Sequence, residues 1–402
     1  MIDNLNITNK IKDKKYSLQF LPKAIESLVK EPFFYHNGKK LKSTYAVDII
    51  HNLILRYYFK KENSFNLSSI ILKEKYGYQY NYYMDYLVFN KIIFVSKEYL
   101  QGSNARIYRL SPNIIEEKIL RFKNDDKTLL KKYKKAVSAI DNTDIIKNSI
   151  LPEIKQKIVS DLFDVGIDLE KAIYFLNNTK QDSDCYNKNK YSVESIHDKH
   201  IFYHFDSYGR VHTNFTILKS FIRKNCLLMN GEKTYEIDIS NSQPLFLSKI
   251  INEEGINVDK HEFSVYNYLV FHGKFYEFLM DKIGIKEKKE CKELIYKTFF
   301  GRNSKKEKNK FAEIFPSIYN FIVDYKNSYG DYKLLAHKLQ NEESNFIFNK
   351  VIKTLSVINS DIKVITIHDS IVVPDKYSEQ AQYIMNSLLE KEFDFIDQNY
   401  VF

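Results

Sequence analysis

The sequence predicts an α+β protein: a largely helical N-terminal half and, from about residue 201, a mixed α/β half. Three observations predict it. Apolar residues recur at helical spacing between 44 and 90 and then give way to a hairpin pattern ending near 114. Residues 113–177 read as helical, with basic runs such as Lys131-Lys-Tyr-Lys-Lys135 that a solvated helix face would carry. Two segments of the second half, Tyr235-Glu-Ile-Asp-Ile-Ser-Asn-Ser-Gln-Pro244 and Val364-Ile-Thr-Ile-His-Asp-Ser-Ile-Val-Val-Pro374, each read as an apolar β-like run with one aspartate inside it.

In the N-terminal half, Thr44 is positioned to cap a helix running to about Lys60, with Ala46, Ile49, Ile50, Leu53 and Ile54 on one face. A short helix should follow Asn66 through Ile70, Ile71 and Leu72 to Gly77, and a third should cover Gln79 to Asn90. Ile92-Ile-Phe-Val-Ser96 reads as a strand, Gln101-Gly-Ser-Asn104 as a turn, and Ala105-Arg-Ile-Tyr-Arg-Leu110 as the returning strand. Three helices followed by a hairpin resemble a winged helix-turn-helix, which binds DNA or, in other settings, only protein. Arg106 and Arg109 on the expected wing are the candidate phosphate contacts. Residues 178–200 are polar and nearly free of aliphatics, and read as a linker or mobile loop.

Composition narrows the partners. A formal charge of +10 and a pI near 9.0 favour a polyanion, although a coding bias toward Lys, Asn, Ile and Tyr would also add lysine. Cys185, Cys226 and Cys291 are far apart and odd in number, which points to a reducing, cytoplasmic setting without a metal cluster. The first ten residues hold no apolar core of signal length, and no apolar stretch is long enough to span a membrane.

The candidate chemistry rests on Asp238 and Asp369. A carboxylate inside an apolar strand is costly unless something offsets its charge. Two such strands meeting in one sheet would make an oxygen-ligand site suited to Mg²⁺, which takes one or two protein carboxylates and completes its shell with water and phosphates. Two such ions serve phosphoryl transfer. Between the aspartates, Lys288-Lys-Glu-Cys-Lys-Glu-Leu-Ile-Tyr-Lys-Thr-Phe-Phe-Gly301 reads as a helix ending at glycine. Lys288, Lys292, Tyr296 and Phe300 recur every fourth residue, so they form one gently curving stripe. The cations suit a triphosphate and the aromatics suit a base or sugar; the bland alternative is a solvated lysine face backed by core aromatics.

These segments, in this order, resemble the palm and fingers of family A DNA polymerases and the related single-subunit RNA polymerases. Asp238 with Ser240 matches the first motif; Lys288, Lys292, Tyr296, Phe300 and Gly301 match the fingers motif; His368-Asp369-Ser370 matches the third, followed by strand Ile371-Val-Val373 and a helix from Ser378 to Leu389. Gly209-Arg-Val-His-Thr-Asn-Phe215, Phe315-Pro-Ser-Ile-Tyr-Asn-Phe321 and Leu339-Gln340 are secondary matches, and the resemblance covers roughly 201–395. It implies a right-hand fold with an antiparallel palm sheet and helical fingers at about 255–330, preceded by an extension (1–43), a winged-helix-like domain (44–114) and a helical, thumb-like region with its linker (115–200).

The resemblance also implies roles. Asp238, Asp369 and the backbone carbonyl of Ile239 would hold two Mg²⁺ ions, with Mn²⁺ as a substitute. Lys292 would be catalytic, and Lys288, Lys292, Tyr296, Gln243 and Phe300 would bind nucleotide. His368, Gln340, Arg210, His212, Phe300 and Gly301 would meet the primer-template. Lysine stands at 288 in place of the family's arginine and phenylalanine at 300 in place of tyrosine. The family's Thr-Gly-Arg-Leu-Ser-Ser element is absent between Thr216 and Glu236, and no exonuclease-like carboxylate motif precedes 200.

Gln243 occupies the place where DNA polymerases of the family carry a glutamate that excludes a ribose 2′-hydroxyl, and Tyr296 and Phe300 also lean toward DNA synthesis. Ser370 leans toward RNA. The expectation is a DNA-dependent DNA polymerase without proofreading, from a mobile-element, plasmid or phage-like setting. A primase or RNA polymerase of the same fold, or a DNA-binding replication initiator or regulator with a degenerate palm, stands as the alternative.

Overall fold

The protein is described by a computed structural model covering residues 15–97, 106–133, 150–255, 257–302, 309–328 and 330–396. It is a mixed α+β chain with small antiparallel sheets, and it divides into two compact units. The first comprises Met1–Thr143, Val165–Phe202 and Thr213–Leu228; the second comprises Asp144–Asp164, Tyr203–His212 and Met229–Phe402.

In the first unit the long helix is Ser43–Lys60, beginning one residue before the expected cap, so Thr44 lies inside it. Ala46, Ile49, Ile50, Leu53 and Ile54 are buried as their spacing predicts. The next helices are Ser69–Tyr76 and Tyr80–Phe89. Leu72 is buried, whereas Ile70 and Ile71 face outward. Strand Ile107–Leu110 pairs antiparallel with both Phe65–Asn66 and Ile93–Lys97. The turn expected at 101–104 lies outside the described residues.

Two expectations for the middle of the chain need correction. Residues 115–177 are not uniformly helical: Ile119–Asn124 is a strand, antiparallel to Ser17–Pro22. Its partner is a hundred positions away, so local periodicity carries no trace of the pairing. Residues 178–200 are not a linker, because Ser183–His197 is a helix whose Asp182 side chain accepts from Cys185 N–H at 2.6 Å. Asn189, Ser192, Val193 and Ile196 form its buried face at helical spacing. Asn187 donates to the Tyr58 hydroxyl (2.8 Å) and the Glu117 carbonyl (3.0 Å), which satisfies a polar group in the core.

The second unit is built on three antiparallel strands in the order Ile365–Ile367, Ser370–Pro374, Glu232–Asp238. All five residues of the central strand are buried. Helix Ser378–Glu392 follows it. Helices Ser242–Glu254, Lys260–Phe271, Phe275–Ile283, Lys288–Phe300, Pro316–Ser328 and Leu334–Asn345 make up most of the rest. Tyr266, Phe275, Phe311 and Phe315 form a buried aromatic cluster among these helices, with Phe275 and Phe315 stacked and the other pairs edge-on or tilted.

Candidate active site

The two aspartates come together at one end of the second unit's three strands; Asp238 is exposed there rather than enclosed in an apolar strand as expected, and Asp369 is half-buried. Asp238 is the last residue of its strand and opposes Ser370 in register. Asp369 is the next residue back along the neighbouring chain, and its carbonyl accepts from Ile239 N–H at 3.4 Å. Asp369 lies in the two-residue turn His368-Asp369 between strands, rather than inside a continuous β run as expected. Such short hairpin turns demand a left-handed backbone, and His368 supplies it at φ +56°, an uncommon conformation for a residue with a side chain. Ser370 Oγ donates to the Ile367 carbonyl across the turn at 2.9 Å, so this buried hydroxyl is engaged within the hairpin.

Crowding by the surrounding protein, then the negative charge of Glu343, then that of Asp238, push the Asp369 carboxyl up to about 7, opposed by the guanidinium of Arg210. Glu343 is 1% exposed and sits on helix Leu334–Asn345. Its Oε1 accepts from Arg210 Nη2 (2.6 Å) and Nε (3.1 Å); its Oε2 accepts from Ser242 Oγ (2.6 Å) and from Gln243 Nε2. Arg210 is therefore held by a carboxylate within this unit. Its delivery explains the Gly209-Arg210 pair. Gly209 adopts φ +88°, and a Cβ there would stand 3.0 Å from Ser344 Cβ, beside Glu343. Asp206 Oδ1 closes the same turn by accepting from the N–H groups of Tyr208 and Arg210.

The remaining candidates fall around this centre. His212 Nε2 pairs with Asp206 Oδ2 at 3.0 Å, and its ring lies edge-on to His368 at 6.3 Å. Gln340 is half-buried on the Glu343 helix, one turn ahead of the carboxylate. Helix Lys288–Phe300 buries Cys291, Ile295, Thr298 and Phe299. The opposite stripe faces out: Lys288 and Lys292 are exposed, Tyr296 is 65% exposed, and half-buried Phe300 packs tilted against Tyr296 at 4.6 Å. The aromatics of the stripe are thus not core. Gly301 ends the helix where a Cβ would meet the Lys297 carbonyl oxygen at 2.5 Å, so the position admits little else. Arg106 and Arg109 are exposed in the first unit on and beside strand Ile107–Leu110, with Arg109 opposite Phe94.

Two residues of the site escape the motif reading. Tyr276 lies beside the helix lysine. Lys292 Nζ lies 5.6 Å from its ring centroid, and burial, with smaller contributions from Cys291 and Asp369, pushes its hydroxyl up to about 12. Glu343 is the other, and it left a signal: Leu335, Leu339, Glu343 and Ile347 recur every fourth residue, so a carboxylate interrupts an apolar stripe.

The donors at the sheet end fit a hard divalent cation. They are carboxylate and carbonyl oxygens, and a bound cation would favour the ionised form of the Asp369 carboxyl, which burial and then its acidic neighbours disfavour. Among the described residues, no three His, Cys, Asp or Glu side chains cluster tightly enough to hold a metal by themselves. A two-carboxylate site is what Mg²⁺ uses when substrate phosphates and water supply the other ligands. Comparison with protein-family models and with curated proteins gives no match for this chain.

Proposed function

We propose that the second unit is a template-directed nucleotidyltransferase that extends a DNA primer with deoxynucleotides and lacks proofreading. The observation that carries this reading is the meeting of Asp238 and Asp369 at one sheet end, beside Glu343. Mg²⁺ held by these carboxylates and the Ile239 carbonyl would supply activation of the attacking hydroxyl and stabilisation of the leaving pyrophosphate.

The chain's own residues do the rest. Lys292 offsets the growing charge on the triphosphate, with Lys288 as an outer contact. Exposed Tyr296 and half-buried Phe300, tilted against each other, offer a face to the incoming base. Gln243 walls the sugar. His368 and His212 border the primer terminus, and Gln340 and Gly301 border the template strand. Ser370, whose hydroxyl donates to the Ile367 carbonyl within its own turn, remains the one feature that leans toward RNA synthesis. In the first unit, Arg106 and Arg109 would contact duplex phosphates.

Primer extension on DNA and RNA templates, with dNTPs and rNTPs supplied separately and with Mg²⁺ or chelator, tests the reading. The expected result is Mg²⁺-dependent extension of a DNA primer on a DNA template with dNTPs. Absence of extension under every combination would leave a DNA-binding initiator or regulator with an inactive palm.

A further inference from the structure

The Gln243–Glu343 contact points to a division of labour in the sugar pocket. We propose that Glu343 is a positioning residue that braces Gln243, so that sugar selection is a two-residue device with its wall on one helix and its carboxylate on another. This rests on the nucleotidyl-transfer reading above.

Both helices are in the second unit, and the two residues are a hundred positions apart. A carboxylate offers about four acceptor positions, and Glu343 fills them with Arg210 Nη2 and Nε, Ser242 Oγ and Gln243 Nε2. Since an ionised carboxylate only accepts, the amide must turn its NH₂ group toward Glu343. Gln243 Oε1 is buried with no hydrogen-bond partner among the described residues, so Glu343 is what fixes the amide's orientation. The arrangement also explains why position 243 carries an amide. A glutamate there would put two carboxylates within hydrogen-bonding distance of each other, inside a cluster that already includes Asp369.

A charge swap tests this. Gln243→Glu should lower the melting temperature of the metal-free chain by a few degrees and reduce the dNTP-over-rNTP ratio of kcat/KM about tenfold, as coupled neighbours do. Gln243→Glu combined with Glu343→Gln restores the charge count and the donor–acceptor pair, and should bring both readouts back to within about threefold of wild type in the ratio and about a degree in melting. Glu343→Ala should lower the ratio although Gln243 is intact. The proposal is overturned if Gln243→Glu matches wild type in both readouts, or if the swap is no better than the single variant. Extension by none of the proteins with either sugar would end the nucleotidyl-transfer reading and the sugar role with it; melting rescue by the swap would then show a brace of purely structural kind.

Discussion

Asp48 in the first unit and Glu343 in the second are both buried carboxylates, and they differ in their charged neighbours. Asp48 pairs with Lys75 at 2.8 Å and accepts from Gln19 Nε2 (2.5 Å), from the Tyr76 hydroxyl (2.6 Å) and from the Tyr133 hydroxyl. One anion meets one cation, and neutral donors complete the shell. Glu343 meets Arg210, but Asp369 and Asp238 add their charge to the same surroundings. The first cluster is closed and specifies a core. The second gathers three carboxylates, and the Asp369 carboxyl is raised first by burial and then by its acidic neighbours, a pattern that clusters at functional sites.

The sharpest way to break this contrast is to neutralise one carboxylate in each cluster. Asp369→Asn should reduce primer extension by about 10²–10³-fold or more, the scale for removing one group that stabilises transition-state charge, without lowering the melting temperature of the metal-free chain. Asp48→Asn should instead destabilise, by about 3 kcal/mol, because it leaves Lys75 without its partner; denaturant titration reads that change. The reverse pattern would exchange the roles of the two clusters.

A second contrast lies within helix Lys288–Phe300. Lys292, beside Tyr276, should matter to the chemical step, and Lys292→Ala is expected to lower kcat about a hundredfold. Lys288→Ala should chiefly raise the nucleotide KM, by about tenfold or less. Equal small effects in steady-state kinetics would reduce the stripe to a solvated face.

The electrostatic difference has its own pH signature. Asp369 titrates near 7 in the folded chain against 3.8 for an ordinary aspartate. Because its folded value is raised, the folded state keeps the proton longer than the unfolded chain, and the cost of ionising it grows as pH climbs from about 4 to 7. In chelator, the wild-type melting temperature should fall across that window relative to Asp369→Asn. Parallel curves would show that the Asp369 carboxyl is not raised.

The smallest expected effect concerns the first unit. Arg106→Ala and Arg109→Ala should each reduce the slope of log DNA affinity against log salt by about one. Unchanged slopes would make this region a protein-contact surface.

What the sequence reveals and hides follows the range of the interactions. Helices Ser43–Lys60, Ser69–Tyr76, Tyr80–Phe89 and Lys288–Phe300 are legible because their apolar faces repeat within a few turns. The pairing of the segments around Asp238 and Asp369 is legible because each places an aspartate in β-like sequence. Strand Ile119–Asn124 and helix Ser183–His197 are hidden, the first by a distant partner and the second by a buried face of asparagine and serine. Glu343 is hidden for the same reason: its meaning comes from Arg210 and Gln243, each at least a hundred residues away.

Calorimetric titration of Mn²⁺ into the full chain, at pH 6 and at pH 8, addresses the proposed cation site most directly. The account predicts saturable binding that is tighter at pH 8, accompanied by proton release at pH 6, and lost in both Asp238→Asn and Asp369→Asn. Binding of equal strength in wild type and in both variants, or none in wild type, would contradict it.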